Sequence, residues 1–254
     1  ITTRPEVDVH PSLNGYLVYF GTGKYIETTD NQNTGQPTQT LYAVWDRDNP
    51  NISSLLPQTR AHLLQQTILA NVSGSYVTSD TPIVWHEDAN LTSPTNPSGT
   101  PPADYLGWYV DLIVAGDNQG EKQVTNGLLL DKKIIFNTII PSVDVCEAGG
   151  TSNTIILDAV SGSRLSVSPF KGSSNVTGDF NGDGTPETVP ISSQGSTVGI
   201  LSSPAPVTAL GASGGGGDQP FIVSLGSSGQ PSSIEVDPAQ QTIGRRFWRQ
   251  LQQQ

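Results

Sequence analysis

GYLVYFGTGKYIE at residues 15–27 and TQTLYAVWD at 38–46 decide how this chain is read. The first is an apolar strand broken by FGTG, which reads as a strand, a tight turn and the start of the next strand. A polar loop, TTDNQNTGQP, separates it from the second strand, which the turn signal RDNPN closes. The same order returns in KKIIFNTIIP (132–141) and NTIILDAVSGSRL (153–165), the latter read as strand, turn and strand. In each copy an apolar strand ends in Phe-Gly-Thr or Phe-Asn-Thr. The next strand ends in an aspartate, Asp46 or Asp158, and a turn follows. A repeated strand, loop, strand-Asp-turn unit is how propeller blades look in sequence. The alternative is two unrelated hairpins that share β-friendly residues.

The rest of the composition agrees with an all-β chain. Of 254 residues, 27 are Gly and 19 are Pro, and 34% are hydrophobic. That is enough apolar material for one large domain or two small ones. Long 3.6-residue periods are scarce, and short apolar runs between turn residues dominate. Further strands are expected at 74–79, 83–87 and 107–114, and in TVGIL and PFIVSL of the last third. ISSLLPQTRAHLLQQTIL (52–69) differs and is read as one or two helical turns, with Thr59 as cap. The aspartate before a Gly-containing turn makes the repeat similar to quinoprotein-type blades.

A formal net charge of −11 repels nucleic acid and anionic membrane, so neither is expected as a partner. No run approaches the ~18 apolar residues of a membrane helix, and no membrane insertion is expected of this segment. The chain begins at Ile1 and contains no Met, which reads as a processed or truncated piece. Cys146 is the one cysteine, so an internal disulfide, a C-x-x-C metal site and a redox pair are excluded. It reads as a buried thiol or as the partner of a cysteine upstream.

DFNGDGTPE, Asp179 to Glu187, is the one ordered cluster of acidic and amide residues. Calcium wants six to eight oxygens, and a tight loop offers them when such side chains fall on alternate positions. Asp179, Asn181 and Asp183 supply positions one, three and five, and the Thr185 carbonyl supplies seven. Glu187 at nine closes the shell, directly or through water. Gly184 at position six permits the sharp turn. Position twelve, where a helix-loop-helix hand needs Glu, is Pro190, so a short loop between strands fits better. Without a cation the three carboxylates repel one another, so the ion is expected to order the loop. The alternative is a plain acidic hairpin.

Other chemistry finds little support. His10, His62 and His86 are not spaced like a zinc pair, and His86 in WHED reads as a strand end. No P-loop or dinucleotide fingerprint is present, and SGGGGD (213–218) reads as a loop. Trp45, Trp85, Trp108 and Trp248 read as core or inter-blade packing. Asn-x-Ser/Thr occurs at Asn51, Asn71, Asn90 and Asn175.

Taken together, VYFGTGKYIE, TQTLYAVWD, GWYVDL, the block from VTNGLLLD to CEAGGTSN, ILDAVSG, DFNGDG and the final GRRFWRQL resemble the C-terminal domain of the PilC/PilY family. These are type IV pilus assembly and tip-associated adhesin proteins of Gram-negative bacteria. The resemblance implies a modified, quinoprotein-like β-propeller, with the C-terminal part of it over residues 1–254. It implies Ca2+ held by Asp179, Asn181, Asp183, Thr185 and Glu187, and no enzymatic activity. It implies pilus biogenesis in which calcium favours extension over retraction (twitching motility), with adhesion and virulence. Implied partners are the pilus machinery or minor pilins at the pilus tip, and a host-cell or abiotic surface. The implied location is the cell surface, at the pilus tip or outer membrane. Two departures stand out: Glu at the last ligand position, where Asp is common, and a chain short for a whole propeller. No Arg-Gly-Asp triplet is present. The runner-up is a quinoprotein-type dehydrogenase fragment, which the missing vicinal cysteine pair and the self-contained loop disfavour. A third reading, an integrin-like calcium repeat module, would carry several such loops where this chain has one.

Overall fold

The computed structural model describes residues 1–47, 59–86, 104–143, 149–172, 175–209 and 219–236. The strands, in chain order, are β1 (Glu6–Val9), β2 (Tyr16–Gly21), β3 (Thr40–Asp46), β4 (Leu64–Val72), β5 (Ser75–Thr78) and β6 (Gly107–Val114). Then come β7 (Leu128–Leu130), β8 (Lys133–Asn137), β9 (Ile140–Pro141), β10 (Gly150–Thr151), β11 (Asn153–Asp158) and β12 (Val176–Gly178). The last are β13 (Glu187–Val189), β14 (Ser193–Gly195), β15 (Ala205–Ala209), β16 (Gln219–Leu225) and β17 (Pro231–Glu235). Among the described residues the helical content is two 3-10 turns, Thr28–Asn31 and Arg60–His62.

Three antiparallel meanders form in succession: β1-β2-β3-β6, then β7-β8-β11-β14, then β15-β16-β17. They stack face to face as neighbouring blades do, which makes the chain all-β and of the modified propeller class. Alternation decides which side chains face inward. Leu17 and Tyr19, Leu41 and Ala43, and Trp108, Val110 and Leu112 point from the first sheet into a shared core. The second sheet supplies Ile134, Phe136, Ile155 and Leu157 to that core. Its opposite face sends Ile135 and Ile156 into a second core, with Phe170, Ile191, Ile222 and Ile234. Strands β8 and β11 are therefore buried on both faces, which is why they read as unbroken apolar runs. Trp108, fully buried, spans the first interface and donates from Nε1 to the Ala159 carbonyl at 3.1 Å. Burying about 200 Å² of indole at ~25 cal/mol/Å² is worth about 5 kcal/mol.

The repeat is real in one part and shifted in another. β2-β3 and β8-β11 are the second and third strands of consecutive meanders. The two Phe-x-Thr ends are equivalent: Thr22 donates to the Thr40 carbonyl and Thr138 to the Asn153 carbonyl, both at 2.9 Å. The aspartates are not in register. Asp46 pairs with Tyr16, four residues before Phe20, whereas Asp158 pairs with Lys133, three before Phe136.

The helical reading of 52–69 is corrected over its described part. Thr59 stands at the N-cap of the turn Arg60–His62, as expected, but LLQQTIL becomes strand β4. Leu64, Gln66 and Ile68 point inward and Gln65 and Thr67 outward, a period of two. β4 runs parallel to β6 and carries β5 on its far side. Three smaller differences follow the same logic of pairing. Residue Trp85 makes a single bridge to Tyr105 and no strand, TVGIL is reduced to a bridge from Leu201 to Gly226, and 163–165 is not a strand. KKIIFNTIIP splits at Thr138, and β7 forms where no strand was expected.

β5 ends the first sheet against β14 of the second. Ser192 donates to the Tyr76 carbonyl, Gly195 to the Gly74 carbonyl, and Tyr76 to Ser193 Oγ. Beneath this joint lies Glu121, 1% exposed. It accepts from the Tyr76 hydroxyl at 2.8 Å, from Asn153 Nδ2 at 3.1 Å and from Thr138 Oγ1.

Candidate metal centre

The DFNGDGTPE stretch tips the hairpin β12-β13, whose pairs are Val176 with Val189, Thr177 with Thr188 and Gly178 with Glu187. Val189 and the following Ile191 are buried, and Val176 packs on the second core, so the base of the hairpin is anchored. The tip, Asp179 and 181–186, is exposed. Gly182 and Gly184 sit at φ +77° and +85°, a region L side chains avoid.

Four of the five expected ligand residues, Asp179, Asn181, Asp183 and Thr185, interlace around this turn. Asp179 accepts backbone N–H bonds from Gly182 (Oδ1, 2.8 Å) and Gly184 (Oδ2, 2.9 Å). Asn181 Oδ1 accepts from the Asp183 N–H at 2.9 Å, and Asp183 Oδ1 accepts from the Thr185 N–H at 2.7 Å. Asn181 Nδ2 donates to Asp183 Oδ2 at 3.0 Å. The N–H of Thr185, then the Asn181 amide, hold the Asp183 carboxyl below its usual range. Each of these oxygens has a second lone pair free for a cation.

Glu187 stands at the hairpin base. Its Oε1 accepts from the Phe180 N–H at 3.0 Å. Its Oε2 is buried and, among the described residues, has no hydrogen-bond partner. A buried carboxylate oxygen without a partner is costly, and a cation is one way to satisfy it. The residues present therefore fit a hard cation through a mixed set of carboxylate, amide and carbonyl oxygens. Among the described residues no group of three or more His, Cys, Asp or Glu side chains is gathered closely enough to hold a metal by itself.

The histidines are placed elsewhere. His10, buried, stacks on Trp45 at 3.8 Å and meets the edge of Trp85 at 4.4 Å, while Arg47 lies over Trp45. Burial, then the Arg47 charge, lowers its pKa to about 4. His86 bonds Asp104 through Nδ1 at 2.6 Å. His62 closes the Arg60–His62 turn through the Thr59 N–H. Cys146 and Trp248 lie outside the described residues. Sequence reasoning missed Glu121 altogether. GEKQ reads as a surface turn, and no local pattern marks its glutamate for burial.

Residues 1–80 match the family model of the PilY1 beta-propeller domain. The type IV pilus biogenesis factor PilY1 of Pseudomonas aeruginosa PAO1 is 30% identical over 180 residues, covering 67% of this chain and 15% of that protein. The PilY1 homolog of Xylella fastidiosa is 31% identical across 99% of this chain and 16% of its own length. The crystal structure of the Pseudomonas aeruginosa PilY1 C-terminal domain superposes with a TM-score of 0.66 at 25% identity. That match covers 94% of this chain and 45% of the solved one.

Proposed function

We propose, for a chain that belongs to the PilY1 family and carries the C-terminal propeller-type domain of that family, a non-enzymatic role in type IV pilus biogenesis. The likeness to a pilus biogenesis factor over nearly the whole chain supports the assignment. Its place is then the bacterial envelope and surface, at the pilus tip or outer membrane. Its partners are the pilus machinery or minor pilins, with attachment to host-cell or abiotic surfaces.

The regulatory part of the proposal rests on one observation, the buried Oε2 of Glu187, without a hydrogen-bond partner among the described residues, at the base of a loop of oxygen donors. Asp179, Asn181, Asp183, Thr185 and Glu187 hold Ca2+. The ion supplies positive charge that neutralises three carboxylates and fixes the turn. Because Val176 and Ile191 tie the hairpin to the second core, an ordered tip presents one fixed surface to the pilus machinery. The calcium-bound state favours extension, and the calcium-free state favours retraction.

The test is Asp179→Ala in the full protein of a piliated host, with calorimetry on the purified chain. Lost calcium binding together with lost surface pili and altered twitching is expected. Lost binding with normal piliation and twitching would remove the regulatory role while leaving the pilus assignment in place.

A further inference from the structure

The chain contains three Asn-Gly pairs, Asn14-Gly15, Asn126-Gly127 and Asn181-Gly182. Asparagine before glycine is the thermolabile form of the residue, because no side chain blocks approach of the following backbone nitrogen to the asparagine amide carbon. The fold treats the three pairs differently. Gly15 is wedged against the backbone of Asp46 and Arg47, with room for no further atom, and the Asn14 carbonyl is held by Trp45 Nε1 at 2.7 Å. Asn126 Oδ1 accepts from the Arg4 N–H at 3.0 Å, its own N–H donates to Ser203 Oγ at 3.0 Å, and Gly127 is buried against the Phe136 ring. Asn181 and Gly182 are both exposed, and Gly182 has open space around it.

The loop also places two groups that favour the reaction. The Gly182 N–H, which must lose its proton to attack, donates to Asp179 Oδ1 at 2.8 Å. The Asp183 N–H donates to Asn181 Oδ1 at 2.9 Å, where negative charge develops as the amide carbon is attacked.

We propose that Asn181-Gly182 is a deamidation site gated by occupancy of the loop. The Gly182 nitrogen bonds to Asn181 Cγ, the Cγ–Nδ2 bond breaks, and ammonia leaves carrying the proton lost from Gly182. A water molecule then opens the cyclic imide to aspartate or isoaspartate. The net change is asparagine plus water to acid plus ammonia, with no redox step. Gating rests on the calcium reading above. A cation on Asn181 Oδ1 and Asp179 fixes both side chains and occupies the carboxylate that takes the proton. Isoaspartate at residue 181 adds a methylene to the backbone before Gly182, between loop positions three and five, and destroys the alternate spacing. In a loop left without calcium the molecules that take the isoaspartate branch lose the site irreversibly, and the loop acts as a timer as well as a sensor.

The experiment ages the purified full chain in 18O-water at mildly alkaline pH, with calcium or with a chelator, and maps the three pairs by peptide mass spectrometry. Calorimetry on the same protein measures calcium binding. In chelator, Asn181 is expected to convert several-fold faster than Asn126. Calcium at 100 times its Kd reduces the unoccupied fraction, and with it the rate, by about a hundredfold. Conversion at Asn181 no faster than at Asn126 would overturn the proposal and leave the calcium reading untouched. Fast conversion that ignores calcium, in protein shown by calorimetry to bind it, would overturn the gating. Fast conversion with no calcium bound would overturn the calcium reading and the gating with it.

Discussion

Replacing Glu121 tests how the joint between the first two sheets is held. In Glu121→Ala three donors lose their acceptor, but not equally. Asn153 Nδ2 keeps the Tyr76 hydroxyl oxygen at 2.7 Å, and Thr138 Oγ1 keeps the Asn153 carbonyl at 3.3 Å. The Tyr76 hydroxyl hydrogen has no second acceptor among the described contacts, which costs about 1–3 kcal/mol. The missing methylene adds about 1 kcal/mol, so a loss of about 2–4 kcal/mol is expected. Glu121→Gln keeps an acceptor for Thr138 and Asn153 and should stay within about 1 kcal/mol of the wild type near pH 5. The two proteins should then part as pH rises. Burial pushes the Glu121 carboxyl above its ordinary 4.5, against the pull of the Thr138, Asn153 and Tyr76 donors. The folded state thus holds a proton that the unfolded state has released. The stability this contributes is complete below the unfolded pKa and is lost as pH rises toward the folded one. His10 has the opposite sign. Its pKa falls from 6.5 to about 4, so its contribution grows as pH rises through that interval. The wild-type curve mixes both effects, and only the difference between wild type and Glu121→Gln isolates the glutamate. Urea unfolding followed by circular dichroism from about pH 5 to pH 8 measures it. Parallel curves for the two proteins, or an alanine variant losing under about 1 kcal/mol, would refute the reasoning.

Three further substitutions probe the candidate site and the interface between the first two sheets. Glu187→Gln keeps the acceptor for the Phe180 N–H but removes a charge, so the hairpin should fold while calcium affinity by calorimetry falls at least about tenfold, or 1.4 kcal/mol; unchanged affinity would place the ion elsewhere. Gly162→Ala puts a Cβ 2.3 Å from Trp108 Cδ2 at φ +70°, whereas Gly172→Ala at φ +73° meets nothing among the described residues within 4 Å. The second variant should lose only the ~1–2 kcal/mol of left-handed backbone strain, and the first clearly more by thermal unfolding; equal losses would mean that Gly162 does not hold the indole in place.

What was legible in the sequence was local. The Phe20-Gly-Thr and Phe136-Asn-Thr strand ends announced equivalent strands because both sit on apolar runs with a shared hydrogen bond. The nine residues of the calcium-like loop are contiguous, so spacing alone carried them. Strand β4 hides its period of two because Gln66 breaks the apolar alternation. The structure buries it completely and satisfies it, through Nε2 to the Thr81 and Ser161 carbonyls and Oε1 to Ser79 Oγ. A polar residue with three well-placed partners behaves as a core residue, and sequence cannot show the partners. The Glu121 cluster was invisible for a related reason, since Tyr76, Glu121, Thr138 and Asn153 meet only after two sheets have stacked. The one-residue offset of Asp158 from Asp46 is likewise a matter of register. Asp158 takes up the N–H groups of Val160 and Ser161 at 2.9 and 2.8 Å and so serves its own turn.

The seam where β5 meets β14 has a kinetic consequence. Residues 74–76 bond to residues 192–195, so the seam closes a chain segment of well over a hundred residues. Each of the three meanders is built largely from neighbours in sequence and can form early. The seam must wait for its distant strand and then overcome the loop-closure entropy. High contact order of this kind places folding in the millisecond-to-second range. During synthesis, the edge of β5 stays open until Ser192 and Gly195 have emerged. The first sheet therefore carries an unpaired edge while the residues between Thr78 and Ser192 are synthesised, the state in which β proteins are most prone to wrong partners.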